Sequence, residues 1–106
     1  MTNNFKAVFK ILRLLDKYKG DEKFSVELIS ASALGLKFEE WEQLMIAMQE
    51  EGYIKGLVIG QSLTDKFPHI AEPIRPAITF KGMEYLEENS MMAKAREALR
   101  MVGEIL

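Results

Sequence analysis

The chain has 106 residues, enough for one domain with a modest hydrophobic core. A charged fraction of 28% and an apolar fraction of 48% argue against intrinsic disorder. No stretch approaches the roughly 18 apolar residues of a membrane span, and without cysteine there is no disulfide framework or thiolate chemistry, so we expect a cytoplasmic protein. The net charge of −2 and the pI near 5.5 lack the basic footprint of most nucleic-acid-binding domains.

The first predicted element is helix one, over residues 3–19, which Asn3 or Asn4 can cap and Gly20 ends. At about 100° per residue, its apolar side chains form two neighbouring stripes that cover more than half of the helix. One core face does not need so wide an arc, so we expect this helix to be buried from two sides. The stripes consist of Phe5, Val8, Phe9, Leu12 and Leu15, and of Ile11, Leu14 and Tyr18.

A helix-turn-helix is predicted over about residues 30–51. Residues 24–29 (FSVELI) are compatible with a short strand or with the start of a helix, and SASALGL then predicts a helical turn that Gly35 stops. A longer helix follows over residues 38–51, although Lys37 stands where a capping serine or threonine is expected. The side chains expected to point inward from it are Phe38, Trp41, Leu44, Met45 and Met48.

A β-hairpin, the wing, is predicted over about residues 53–79. Residues 53–59 are rich in β-formers and predict a strand. Residues 60–76 hold all three prolines and several turn formers, so they are expected to be mostly loop. Residues 77–79 can then form the returning strand.

Two C-terminal helices are predicted over residues 80–105, with a break at residues 89–90. Thr79 is placed to cap the first of them, yet Gly82 lies inside its first turn, where glycine costs about 1 kcal/mol against alanine. We expect glycine there because the helix starts close against the core, where a side chain would hold the two backbones apart.

Three helices followed by a β-hairpin is the element order of a winged helix-turn-helix. We therefore predict an α+β fold with a three-helix core, a β-hairpin wing and an additional C-terminal helix, in a single domain over residues 1–106.

Two stretches carry a family resemblance: EEWEQLMIAMQEEGYIKG at the helix-to-wing junction and TFKGMEYLEEN after the wing. Together with the preceding LGL and the final amphipathic helix, they resemble the YjcQ family of small winged-helix proteins from Gram-positive bacteria and their phages. The resemblance covers most of the chain and implies the winged-helix fold without implying an activity. Lys37 and Phe80 depart from the pattern, because a capping residue and an acidic first-turn residue are expected at those positions.

No constellation of residues predicts an enzyme. His69 is the single histidine and lies among prolines, and without cysteine or a second histidine we expect no zinc site. The glutamates within residues 39–42 and 50–51 lie on a helix flank where nothing predicts the burial that a general acid needs. The seven glycines are dispersed, so no phosphate-binding loop is present. We expect no catalytic residue, metal, cofactor or small-molecule substrate.

The second helix of a helix-turn-helix normally reads the DNA major groove, but here it carries five glutamates and no lysine or arginine. Because phosphate contacts dominate affinity for DNA, it is physically a poor recognition helix. Ile46 is expected to point outward, either as a singly exposed apolar residue or as the anchor for a protein partner with a basic rim. The predicted outward face is Glu39, Glu42, Gln43, Ile46 and Glu50.

Basic charge is concentrated on helix one, where four cations fall within about 60° of one face. They form either a solvated face or a contact strip for nucleic acid or an acidic protein. The basic residues are Lys6, Lys10, Arg13 and Lys17 on helix one, with Lys55, Lys66 and Arg75 on the wing.

The last helix carries an apolar stripe with heptad spacing. Two heptads do not sustain a coiled coil alone, so the stripe needs a partner surface within the chain or across a two-fold axis. The stripe consists of Met91, Ala95, Ala98, Leu99, Val102 and Ile105.

Two functions remain open at this point. The fold favours a DNA-binding or transcription-regulator-like protein, although the charge does not support DNA. The acidic second helix favours a protein-interaction or dimerisation adaptor.

Overall fold

A computed structural model describes residues 3–90, which form an α+β arrangement of helices and small antiparallel sheets. The helices are α1 (Asn3–Lys17), a 3-10 helix (Val26–Ile29), α2 (Ala31–Leu34), α3 (Phe38–Glu50) and α4, which begins at Phe80 and continues to the last described residue. The strands are β1 (Ile54–Lys55), β2 (Val58–Gly60), β3 (His69–Ala71) and β4 (Ala77–Ile78).

Helix α1 lies at the centre of the domain and contacts the 3-10 helix, α3 and β4. Ile11 and Leu12 are fully buried, and the ring of Tyr18 stacks on Phe24 at 5.5 Å between centroids. The wide apolar arc of the helix is therefore covered from more than one side, as its two stripes predicted. Phe5 is the exception, because more than half of its side chain remains exposed.

The short strand considered for residues 24–29 is not formed. The side chain of Ser25 accepts a hydrogen bond from the Glu27 backbone N–H, and Ser30 caps α2 by accepting from the Ala33 N–H. These local side-chain-to-backbone bonds stabilise two short helical segments in place of an extended ladder. Gly35, in the left-handed conformation at φ 69°, ends α2 as predicted.

The core-facing stripe of α3 is confirmed for most of its members. Trp41, Met45 and Met48 are buried and Leu44 is half-buried, but Phe38 is 56% exposed because it lies at the open N-terminal end of the helix. Lys37 makes no side-chain capping bond, in agreement with its weak capping chemistry.

Trp41 links α3 to the preceding 3-10 helix. Its indole Nε1–H donates to the Ile29 carbonyl oxygen at 2.7 Å, and both residues are buried. Trp41→Phe removes this donor and leaves the carbonyl unpaired, so we expect a loss of about 1–2 kcal/mol in the free energy of unfolding, measured by urea denaturation. A change below about 0.5 kcal/mol would show that the bond contributes little. Phe80→Leu, at a largely exposed aromatic residue of α4, is the control, since the ring of Phe38 packs against Trp41 at 5.7 Å between centroids.

The four strands form one long hairpin that is interrupted midway. β1 and β2 make up its first arm, and β3 and β4 make up the returning arm. Ile54 pairs with Ile78 at its base, and Val58 pairs with Ala71 further out. The interruption falls at Gly56, which has φ 96° and where a Cβ would lie 2.7 Å from the Arg75 carbonyl oxygen. The predicted single strand over residues 53–59 is therefore broken, and part of the predicted loop forms β3.

The close approach expected at Gly82 is present, but its partner is the base of the hairpin rather than the three-helix core. Thr79 caps the helix, since its Oγ1 accepts from the Gly82 N–H at 3.0 Å and its own N–H donates to the Tyr53 carbonyl at 3.1 Å. A Cβ on Gly82 would lie 2.7 Å from Cγ1 of Ile78 and closer still to the Tyr53 carbonyl oxygen. Phe80, in the same turn, is 85% exposed.

The predicted break in α4 at residues 89–90 does not occur, because both residues are helical. The Asn89 side-chain amide donates to the Tyr85 carbonyl at 2.8 Å, which accommodates asparagine within the helix. The predicted last helix and its apolar stripe lie outside the described residues. No helix within residues 3–90 is long and apolar enough to cross a membrane.

Candidate functional site

The hairpin is attached to α3 through the buried carboxylate of Glu42. One oxygen, Oε2, accepts from the Ile70 backbone N–H at 3.1 Å, and the other, Oε1, lies 2.8 Å from Nδ1 of His69. Because the Ile70 N–H is directed at α3, it does not take part in the ladder with β2. Glu42 therefore occupies the outer edge of β3 and satisfies a backbone donor that would otherwise lack a partner.

Two glutamine side chains extend this attachment. The Gln49 amide bonds to both backbone groups of Leu57, donating to its carbonyl at 3.0 Å and accepting from its N–H at 2.8 Å. Gln43 donates to the Pro68 carbonyl at 3.3 Å. Leu57 precedes β2 and Pro68 precedes β3, so α3 holds both arms of the hairpin.

This attachment corrects the predicted outward face of α3. Glu42 and Ile46 are each only 4% exposed, because the hairpin covers the flank on which they lie. Glu39 and Glu50 are exposed as predicted, and Gln43 is half-buried. Ile46 is not available as a surface anchor for a partner.

The face of α3 that stays exposed forms the floor of an open groove of about 600 Å³. The start of α1 lies on one side of it and the outer hairpin on the other. We call this the α3 groove. Besides Glu42, Gln43 and His69, which attach the hairpin, the residues that line it are Asn4, Glu39, Glu40, Leu44, Ala47 and Phe67.

The α3 groove combines an apolar surface with negative charge. Leu44, Ala47 and Phe67 are its apolar residues, and Phe67 is 60% exposed. Glu39 and Glu40, in the first turn of α3, are exposed at its acidic end. Among the described residues that line it, none is a lysine or an arginine, and His69 is the one side chain that can become positive near neutral pH.

His69 lies between two carboxylates. Besides the contact of Nδ1 with Glu42, its Nε2 lies 3.9 Å from Oδ1 of Asp65. The hydrogen bond to Glu42 raises the pKa of His69 above its ordinary value, with a smaller contribution from the negative charge of Asp65.

The raised pKa of His69 predicts a pH dependence of stability. The folded protein binds the proton more tightly, so the contribution of the pair is fully present below the ordinary pKa of about 6.5 and is lost as pH rises through the raised value. We expect wild type to exceed His69→Gln in unfolding free energy by more at about pH 5.5 than at about pH 8.5. Equal differences at both pH values would contradict this. NMR titration of the imidazole in Glu42→Gln should return its pKa towards the ordinary value.

The tip of the hairpin is a turn closed by hydrogen bonds between Ser62 and Asp65. The Asp65 carboxylate accepts from the Ser62 backbone N–H at 2.9 Å, and the Asp65 N–H donates to the Ser62 carbonyl at 3.1 Å. The bond from Ser62 lowers the pKa of Asp65. This turn holds Leu63 fully exposed at the end of the domain.

The basic residues of α1 lie on the side of the helix away from its buried stripe. All four are exposed, and none forms an ion pair with another residue of the described part of the chain. Lys55 and Arg75 lie near each other at the interruption of the hairpin, whereas Lys66 lies in its tip. The seven cations thus belong to two parts of the fold, four to α1 and three to the hairpin and its loops. The four on α1 are Lys6, Lys10, Arg13 and Lys17.

The Glu42–His69 pair was missed by the sequence analysis. The two residues are 27 positions apart, and a lone histidine among prolines carries no signal of a partner. No local pattern distinguishes Glu42 from Glu39, Glu40 and Glu50, which lie on the same helix and are exposed. Within residues 3–90, no group of histidine, aspartate or glutamate residues is arranged to hold a metal ion.

The domain is thus a small α+β protein whose hairpin is held on its third helix by buried polar side chains. The chain belongs to the YjcQ protein family, whose sequence pattern matches residues 9–105. It is similar to the uncharacterized protein YjcQ of Bacillus subtilis (strain 168), with 28% identity over 74 residues that cover 70% of this chain and 73% of that protein. No solved structure matches the chain.

Proposed function

We propose that the chain is a cytoplasmic winged-helix domain that acts as a non-enzymatic protein-interaction module. The order of α1, α2, α3 and hairpin supports the winged-helix assignment, with α3 in the position of the recognition helix. Fold alone does not decide function, so the proposal depends on the surface that α3 presents.

The observation that carries the proposal is the charge of the exposed face of α3. Glu39, Glu40 and Glu50 are exposed there, and the helix has no lysine or arginine to offset them against DNA phosphates. The two glutamine side chains of α3 are already engaged, since Gln43 and Gln49 form hydrogen bonds to the hairpin backbone. They are not free to read base edges in a major groove.

The test compares DNA binding with protein contact at the same surface. Fluorescence anisotropy with a mixed-sequence duplex at about 50 mM salt should show no binding, because the facing charges have the same sign. A photo-crosslinking amino acid at Ala47, on the exposed face, should give protein adducts in cells, whereas one at Glu88 on α4 should not. Tight, steeply salt-dependent DNA binding that maps to α3, or nucleic-acid adducts at Ala47, would overturn the proposal.

A second candidate is contact with nucleic acid or an acidic protein through α1. It is favoured by four exposed cations along one face of that helix, none of which forms an ion pair within residues 3–90. If it holds, low-salt DNA binding should be present and should decrease when Lys6, Lys10 and Lys17 are changed to Gln, with a smaller slope against salt. Changing Lys55 and Lys66 on the hairpin is the control.

A further inference from the structure

The α3 groove has properties that specify the kind of partner it fits. We propose that it binds a peptide segment of another protein that carries a bulky apolar side chain flanked by lysine or arginine. This assignment rests on the proposed function as a protein-interaction module and names the partner's chemistry.

The apolar part of the groove is a suitable seat for such a side chain. Phe67 is 60% exposed and lines the same groove as Leu44 and Ala47 of α3. An exposed phenylalanine that shares a groove with other apolar side chains leaves a surface that gains free energy when a partner covers it. A volume of about 600 Å³ lies within the range of binding sites, and its open form suits a chain segment.

The wall that carries Phe67 is braced. The next residue, Pro68, accepts a hydrogen bond from Gln43, and the one after, His69, contacts the buried Glu42. Both bonds come from α3, so the aromatic side chain is attached to backbone that is held against the helix. A partner therefore meets a preformed groove and loses little free energy in ordering it.

The negative charge of the groove determines which residues are favoured beside the apolar side chain of the partner peptide. Glu39 and Glu40 are exposed at one end, and no lysine or arginine lines the described groove. A basic flank gains from this potential, whereas an acidic flank or a phosphate is repelled. Glu42 does not contribute a free oxygen, because both of its oxygens are engaged by the hairpin.

The experiment is a selection of random peptides displayed on phage against the full chain. We expect the enriched peptides to combine an aromatic or large aliphatic residue with neighbouring lysine or arginine. Synthetic versions are then titrated by calorimetry and by NMR, where amide shifts should concentrate on Gln43, Ala47 and Phe67.

Matched variants place the binding in the groove. Phe67→Ser should weaken the selected peptide by about tenfold or more, while Leu63→Ser, at the exposed tip of the same hairpin, should change affinity by less than about twofold. Both side chains are exposed, so both variants should keep the wild-type melting temperature. Glu39→Gln with Glu40→Gln should weaken binding, whereas the equal charge change at Glu84 and Glu88 on α4 should not.

The possible results distinguish a failure of the groove assignment from a failure of the proposed function. Enrichment of acidic or uncharged peptides, or equal affinity for Phe67→Ser and wild type, would overturn the groove assignment and leave the interaction module in place. If wild type enriches no peptides beyond those that the Phe67→Ser protein enriches, the assignment of peptide binding to the groove is also overturned. Salt-sensitive DNA binding mapped to α3 would overturn the proposed function itself.

Discussion

Gly82→Ala is expected to destabilise the domain by about 2–3 kcal/mol, although alanine is the better helix former by about 1 kcal/mol. The added Cβ would meet the Tyr53 carbonyl oxygen, a backbone atom that cannot rotate away, and Cγ1 of Ile78. Either α4 or the base of the hairpin must shift, which strains the Thr79 N–H to Tyr53 bond. Urea denaturation followed by circular dichroism measures the effect.

The sign of the change in unfolding free energy for Gly82→Ala distinguishes two physical effects. Helix propensity alone predicts stabilisation, and the close approach of the backbones predicts destabilisation. Gly82→Leu should cost more than alanine, since the larger side chain must displace more of the core. Glu84→Ala, at an exposed position of the same helix, should change stability by less than about 0.5 kcal/mol.

Glu42→Ala should reduce the free energy of unfolding by about 2–3 kcal/mol. The change leaves the Ile70 N–H without its acceptor and opens a cavity where a buried side chain contacted the hairpin. Glu42→Gln keeps one acceptor oxygen of the same shape and should cost about half as much. Chemical denaturation gives both values, and amide hydrogen exchange at Ile70 should speed up selectively in the alanine variant.

Glu39→Ala is the control for Glu42→Ala, because it removes a glutamate from the same helix where the side chain is exposed. It should cost less than about 1 kcal/mol, including its favourable position at the helix N-terminus. Equal losses for the two variants would show that the hairpin attachment through Glu42 contributes no stability of its own.

The features that the sequence predicts correctly depend on interactions between residues close together in the chain. Helices α1 and α3 repeat apolar residues at helical spacing within a few turns, and Gly82 follows its cap Thr79 directly, so neighbouring residues carried the necessary information. The strand considered for residues 24–29 was wrong because Ser25 and Ser30 cap two short helical segments there. The free-energy difference between an extended strand and two capped helical turns is small for so short a segment, so the surrounding packing decides between them.

The sites were harder to predict because they depend on which flank of a helix another element covers. The helical pattern of α3 distinguishes the core face from the rest, but it does not say where the hairpin folds back. Glu42 and Ile46 belong to the stripe beneath the hairpin, and Phe67 reaches the opposite side of the groove from a loop without periodic pattern.

By itself, the sequence determined that helices α1 and α3 precede a β-hairpin and a further helix, most of the inward stripes of α1 and α3, and the close approach at Gly82, since each follows from local spacing and backbone sterics. Only the tertiary structure decided that Glu42 is a buried attachment for the hairpin and that the exposed face of α3 forms an acidic groove. The physical reason is that contacts between residues 27 and 28 positions apart select one flank of α3 over the other, and no local pattern encodes that choice.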